Sequence, residues 1–351
     1  MKSKLIGKYL LVLLACFLYV FLLASYQPEL EAFVFKETFH ALLGKPVEHI
    51  LIVPNRLKEM LISFFAGVAI CVSGAVFQSV FKNPLASPNT IGSTAGVTLG
   101  NMAFVLIYGT SAAYFEEKRY LFCYATSALI VAIVCLLSRL FGKGNFSLSI
   151  ESILIVGILV SNFTDIFIAY CRYLLMTDDT GLIYKFMQYS NGDIIYLDKL
   201  GVTCFYVVIA VSLLGSVVLS RKIDILTFDD VEAYSMGVRV GLTRLLAIVI
   251  ACLMSTAAIV HCGSIGFISM FIPYLFRLYS GKGFYEVGFR SAIVGGVFVV
   301  TSRAIYTQML HFGIGLPASA LTSIFIIPLF FLLLVKSPKG NDDNHSLISL
   351  V

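Results

Sequence analysis

Charge is scarce in this chain of 351 residues: Asp, Glu, Lys and Arg make up 13% of it, about half the share that a soluble chain carries. Catalytic signatures are missing too. No G-x-x-x-x-G-K-[ST] occurs, so there is no phosphate-cradling loop, and neither a nucleophile elbow nor an H-E-x-x-H is present. The five histidines are isolated from one another. The eight cysteines lie scattered in apolar stretches without metal-ligand or redox-pair spacing, and read as buried small hydrophobes. These absences argue against an enzyme, and no metal site or bound cofactor is expected.

What fills the chain instead is apolar sequence, 59% of all residues. Runs of about 20 apolar residues, the length that spans a ~30 Å hydrocarbon core, recur from end to end. We read ten of them, at 9–26, 60–80, 92–109, 120–141, 151–174, 200–219, 244–263, 266–279, 288–310 and 317–335. The first follows Lys2, Lys4 and Lys8 without a convincing small-x-small cleavage pattern, so an uncleaved first helix is expected. The eighth is short and carries Pro273, and should cross only in part or be broken. The expected fold is all-α, a polytopic membrane protein of about ten transmembrane helices over 1–335 with a polar tail at 336–351. The net charge of +5 is concentrated in short segments between runs, where it sets topology. With the N-terminus inside, the even count puts the C-terminus inside as well.

Two connecting segments exceed ordinary turns. Residues 175–199, rich in aromatics, predict a short interfacial helix on the outer side. Residues 220–243, "SRKIDILTFDDVEAYSMGVRVGLT", have helix-start chemistry at Thr227, Asp229 and Asp230 and a stop at Gly237. This segment is too polar to embed, and docking onto a partner is the sharper reading beside a solvated linker.

Polar and small residues inside the apolar runs carry the rest. Ser63, Gly67, Cys71, Gly74 and Gln78 share one helical face, where small residues admit a close neighbour. Ile158, Asn162, Asp165, Ala169 and Arg172 form a stripe along the 151–174 helix. An ionisable Asp165 there faces a bundle interior or a water-filled cavity, unless it snorkels to the outer surface. Arg172 is its partner or a headgroup anchor. The stretch "FKNPLASPNTIGSTAG" at 81–96 interrupts this pattern. Pro84 and Pro88 break the helix, Asn83 favours a turn, and Gly92 and Gly96 restart a closely packed helix. Its chemistry is that of a structured turn or gate on the cytoplasmic side.

The order of these motifs resembles the FecCD-type permeases, the membrane subunits of binding-protein-dependent ABC importers for iron–siderophores, haem and cobalamin. The resemblance runs from Arg56 to about Leu334 and rests on the 56–96 segment with its Asn83-Pro84-Leu85-Ala86-x-Pro88 string. "ESILIVGILVS", "DDVEAYSMGV", "GSIGFISMFIPYLFRL" and "LPASALTSIFIIPLFFLLL" add to it. It implies a type II ABC importer permease in the bacterial cytoplasmic membrane. Its partners would be a second permease subunit, as a heterodimer, two cytoplasmic ATPases that use ATP and Mg, and an extracytoplasmic solute-binding protein.

By the same resemblance, Asn83, Pro84, Leu85, Ala86 and Pro88 with Ser149 and Ile150 contribute to the cytoplasmic gate. Ile158, Asn162, Asp165 and Ala169 line the pathway, and Asp229, Asp230, Glu232, Ala233 and Gly237 form the coupling element on the ATPase. Arg56 and Lys58 dock the binding protein. Two departures stand out. The chain has Arg56-Leu57-Lys58-Glu59 where the family usually has Arg-Leu-Pro-Arg, and Arg303-Ala304 at a usually acidic position. An iron–siderophore is the leading cargo, with haem and cobalamin as alternatives. The rival from another class is an ion-coupled secondary transporter with Asp165 as relay.

Overall fold

The computed structural model describes residues 2–336 apart from 50, 142–148, 179, 193–198, 266, 281–282, 315 and 317; of the expected polar tail, residues 337–351 lie outside the described residues. In chain order the elements are α1 (Lys2–Ser25), a two-residue hairpin β1 (Tyr26–Gln27) and β2 (Ala32–Phe33), α2 (Phe35–Leu42), α3 (Ile52–Val80), α4 (Ser93–Tyr108), α5 (Glu116–Phe141) and α6 (Ile150–Asp178). There follow α7 (Thr180–Asn191), α8 (Lys199–Ile225), α9 (Asp230–Ser235), α10 (Val240–Cys262), α11 (Ile268–Ser280), α12 (Phe284–His311) and α13 (Ala318–Lys336). Each of the ten apolar segments falls in its own helix. The short helices α7 and α9 occupy the two long connecting segments.

Among the described residues, seven helices are long and apolar enough to cross a membrane: α3, α4, α5, α6, α8, α10 and α12. At 1.5 Å per residue, the 24 residues of α1 and the 19 of α13 reach about 36 and about 28 Å, also of spanning length. Helix α11 has 13 residues, about 20 Å, and falls short. Both its ends pack on the last third of α3: Ser269 lies against Gly74, and Arg277 donates to the Ala75 carbonyl at 2.9 Å and to Ser79 Oγ at 2.6 Å. By length, the eighth segment is too short to cross alone. In the non-helical backbone ahead of it, Gly263 and Ile265 are buried, which lets irregular backbone sit at membrane depth there.

Helix α3 is the axis of the bundle and packs against α12, α10 and α11. The small-residue face read from the sequence makes these contacts. A Cβ on Gly67 would strike the backbone of Gly295 and Gly296 in α12, and one on Gly74 would strike the Ser269 carbonyl in α11. Lipid tails supply no hydrophobic drive between helices, so this close approach is what holds them. Gly74→Val should cost about 1–3 kcal/mol through overpacking. Thermal unfolding of the purified protein in detergent checks this: a lowered midpoint is expected, and Leu85→Val, at a half-exposed site, should leave it unchanged.

Candidate functional site

One end of the bundle gathers the C-terminus of α3, the connector that follows it, α9, the start of α10 and the end of α11. The connector leaves α3 at Phe81 and folds on its own chemistry. Asn83 Oδ1 accepts from the Leu85 N–H at 2.9 Å and the Asn83 carbonyl from the Ala86 N–H at 3.1 Å, an Asx-type turn. Pro88 opens a single 3₁₀ turn over Pro88–Ile91, where its missing N–H costs nothing. Ala86 is buried and Leu85 exposed. Gln78 pins the connector from inside: its Nε2 donates to the Pro84 and Met270 carbonyls, both at 2.8 Å, while its Oε1 accepts from Arg277 Nε at 3.0 Å. Sequence reading placed Gln78 on a packing face without seeing this role.

Helix α9 projects from the same end. Asp229 caps it in a capping box with Glu232, whose Oε2 accepts from the Asp229 N–H at 3.3 Å. Acidic residues in the first turn favour it through the helix dipole by roughly 0.3–1 kcal/mol each at low salt. The far end closes where the Val238 N–H reaches the Ala233 carbonyl, with Gly237 at φ +81 in the left-handed region that glycine tolerates. Ala233 is fully buried beneath this turn. Asp230 points back to the bundle, accepting from Arg244 Nη2 at 2.8 and 3.0 Å and from Lys82 Nζ at 3.2 Å. Partial burial opposes its charge, but the Arg244 hydrogen bond and charge, followed by those of Lys82, outweigh it and hold its pKa below the usual carboxylate value. A depressed pKa makes these pairs fully present above the ordinary carboxylate range and lost only as pH falls through the lowered value, so they are intact at neutral pH. Around α9, Phe228, Val231, Tyr234 and Met236 are exposed, an apolar patch in an otherwise polar segment. The sequence reading missed that patch, although the i, i+3 spacing of 228, 231 and 234 carries it.

Helix α6 meets the connector from the side, with Gly157 against Thr90 and Ile91 and Ser161 beside Gly92. Its first turn is capped by Ser149, whose Oγ accepts from the Ser152 N–H at 3.2 Å, and Ile150 is half-buried. Beyond, α6 exposes a wide face. Ile158, Asn162, Asp165 and Ala169 are all exposed in the single chain, as are Phe163, Ile166 and Phe167. Asp165 has no hydrogen-bond or ion-pair partner among the described residues. Arg172 instead lies over the Phe186 ring of α7, 5.4 Å from its centre.

The opposite end corrects one expectation. Arg56 does not precede the second helix as an exposed basic residue; α3 begins at Ile52, and Arg56 sits within it at 5% exposure. It is drawn inward by Glu59, which accepts from Arg56 Nη1 at 2.8 Å, from Arg303 Nε of α12 at 2.6 Å and from Thr307 Oγ1 at 3.2 Å. Lys58 is half-buried beside this cluster. The two departures noted in the sequence are thus two ends of one ion pair: an acid stands at 59 and a base at 303, with the signs exchanged relative to the pattern. Glu59→Ala should strand two buried guanidinium groups and cost about 3–5 kcal/mol. The exchange Glu59→Arg with Arg303→Glu should recover most of that loss. Thermal unfolding of the single and double variants checks both outcomes.

Comparison with known proteins agrees with this architecture. Residues 11–336 match the FecCD transport family. The ferric enterobactin transport system permease protein FepG of Escherichia coli is 26% identical over 86% of this chain and 88% of its own length. The molybdate import system permease protein MolB of Haemophilus influenzae is 25% identical over 84% of each chain. In fold, the chain is similar to a solved metal-chelate-type ABC transporter in an inward-facing conformation, with a TM-score of 0.77 at 20% identity over 96% of this chain and 100% of that one. Matched by the family over nearly its whole length, this multi-pass chain belongs to the FecCD transport family and is a permease subunit of the ABC-importer kind.

Proposed function

We propose that this chain forms half of the membrane pathway of an ATP-driven importer for a metal chelate, delivered by an extracytoplasmic solute-binding protein. The observation that carries the proposal is α9. A capped, acidic helical turn with a buried Ala233 stands at one end of the bundle and exposes Phe228, Val231, Tyr234 and Met236. An apolar patch on a polar segment fits a protein partner, and in this reading the partner is a cytoplasmic ATPase that uses ATP and Mg. The α9 end is then cytoplasmic, and no cofactor is needed on this chain.

The exposed face of α6 supports a second permease subunit. Asp165 on a lipid-facing helix would be costly, by roughly 2.5–3.5 kcal/mol at the bilayer centre. Packing of that face across a pathway from a second permease places Ile158, Asn162, Asp165 and Ala169 in water instead. The connector Asn83–Pro88 and the α6 start at Ser149 and Ile150 lie at the α9 end, where a gate would close. Lys58 is the basic residue that remains for the outer docking of the binding protein. The relatives' names point to chelated iron and to molybdate as cargoes; we favour an iron–siderophore, with haem or cobalamin as alternatives.

The dock can be tested directly. Ala233→Pro removes the N–H that bonds the Asp229 carbonyl at 2.8 Å and breaks α9 inside its single turn. The variant should insert and pair normally yet fail to co-purify with the ATPase. Retention of a normal amount of ATPase by Ala233→Pro would remove the coupling role.

A further inference from the structure

Lys82 has appeared so far only as a partner of Asp230. It is the second residue after α3 and adopts φ +51, a left-handed conformation that residues with a side chain avoid. The conformation turns its side chain toward α9, where Nζ lies 3.2 Å from Asp230 Oδ1 and 3.7 Å from Asp229 Oδ1. Asp230 is held in turn by Arg244, a side chain 1% exposed at the start of α10. One carboxylate thus ties together α9, α10 and the connector, across 148 residues of sequence between Lys82 and Asp230.

We propose that Lys82 is the positioning residue through which movement of α9 reaches the 83–92 connector. The inference rests on α9 being the ATPase dock. The connector has two anchors. Gln78 fixes it at Pro84 to the last turn of α3 and the first turn of α11, and Lys82 fixes its first residues to α9. Beyond them the connector bears on α6, through Thr90 and Ile91 on Gly157. A displacement of α9 carries Asp230, pulls Lys82, and pivots the connector about Gln78 against the stripe-bearing helix.

The alternative is a plain stabilising contact. The exposure of the partners argues against it: Lys82, Asp230 and Asp229 side chains are 26%, 28% and 86% exposed. Ion pairs so open to solvent add little to stability. Removing Lys82 should therefore spare folding and docking, and remove transmission.

The test needs no knowledge of the cargo. The complex with its co-purifying ATPase carries a single cysteine, Leu85→Cys on the exposed tip of the connector, in a background without native cysteines. Labelling by a water-soluble maleimide is timed in the nucleotide-free and the ATP–vanadate-trapped states. With Lys82 in place, the two rates should differ about fivefold or more, the low end of ordinary coupling. Lys82→Met should bring the ratio to about one while ATPase association stays unchanged, and Lys82→Arg should restore it. A wild-type ratio in Lys82→Met, or no nucleotide response with Lys82 present, overturns the proposal. Loss of the ATPase from Lys82→Met overturns it as well, since Lys82 would then belong to the dock. Failure of the dock reading itself is separate, because it shows as ATPase retained by Ala233→Pro.

Discussion

The close approach of α12 and α11 to α3 is the constraint on which everything else in this molecule is arranged. Between lipid tails, helices gain nothing from hiding apolar surface, and backbones must come near enough for van der Waals contact. Gly67, Cys71 and Gly74 allow this along a single face of α3. The irregular backbone that leads into α11 is packed elsewhere, with Gly263 against Asn191 and Gly192 at the end of α7. Because α11 ends beside the last turns of α3, Arg277 and Gln78 meet where the chain leaves the bundle. The connector is placed by that meeting.

The two ends of the bundle use charge differently. At one end Glu59, Arg56 and Arg303 are nearly excluded from solvent, and one carboxylate pairs with both guanidinium groups. A buried set of this kind is costly to separate, which makes it a fixed joint. At the α9 end, Asp230 is anchored by the buried Arg244 but its pair with Lys82 is partly open to solvent, and loss of that pair costs little. That difference assigns rigidity to the first end and adjustable contacts to the second. Movement is expected where the connector, α9 and the first turns of α6 converge.

Local chemistry was legible in the sequence. Apolar runs marked the long helices, and Thr227, Asp229, Asp230 and Gly237 marked α9 because helix-start residues and a glycine stop act within a few residues of chain. Asn83 and the two prolines marked the connector for the same reason. Contacts between distant parts of the chain were not legible. Helix α3 begins two turns before its apolar run, since Arg56 and Glu59 pair inside it and Glu59 also takes Arg303, 244 residues away. Arg56 was read as a docking residue from the family resemblance, and the local sequence does not show the distant Arg303 that shares its partner Glu59. Lys82 and Arg244 were passed over as ordinary topology-setting bases, because their partner Asp230 is brought to them by the fold. The hairpin β1–β2 and α2 carried too weak a pattern to be read.

The central claim is that α9 is the surface on which an ATPase drives this permease. Site-specific photocross-linking measures it most directly, with a photoreactive phenylalanine analogue in place of the exposed Tyr234 in intact cells. The account predicts a cross-linked product that contains a P-loop ATPase. A product containing the extracytoplasmic binding protein, or none with any ATPase while the complex is assembled, would contradict it.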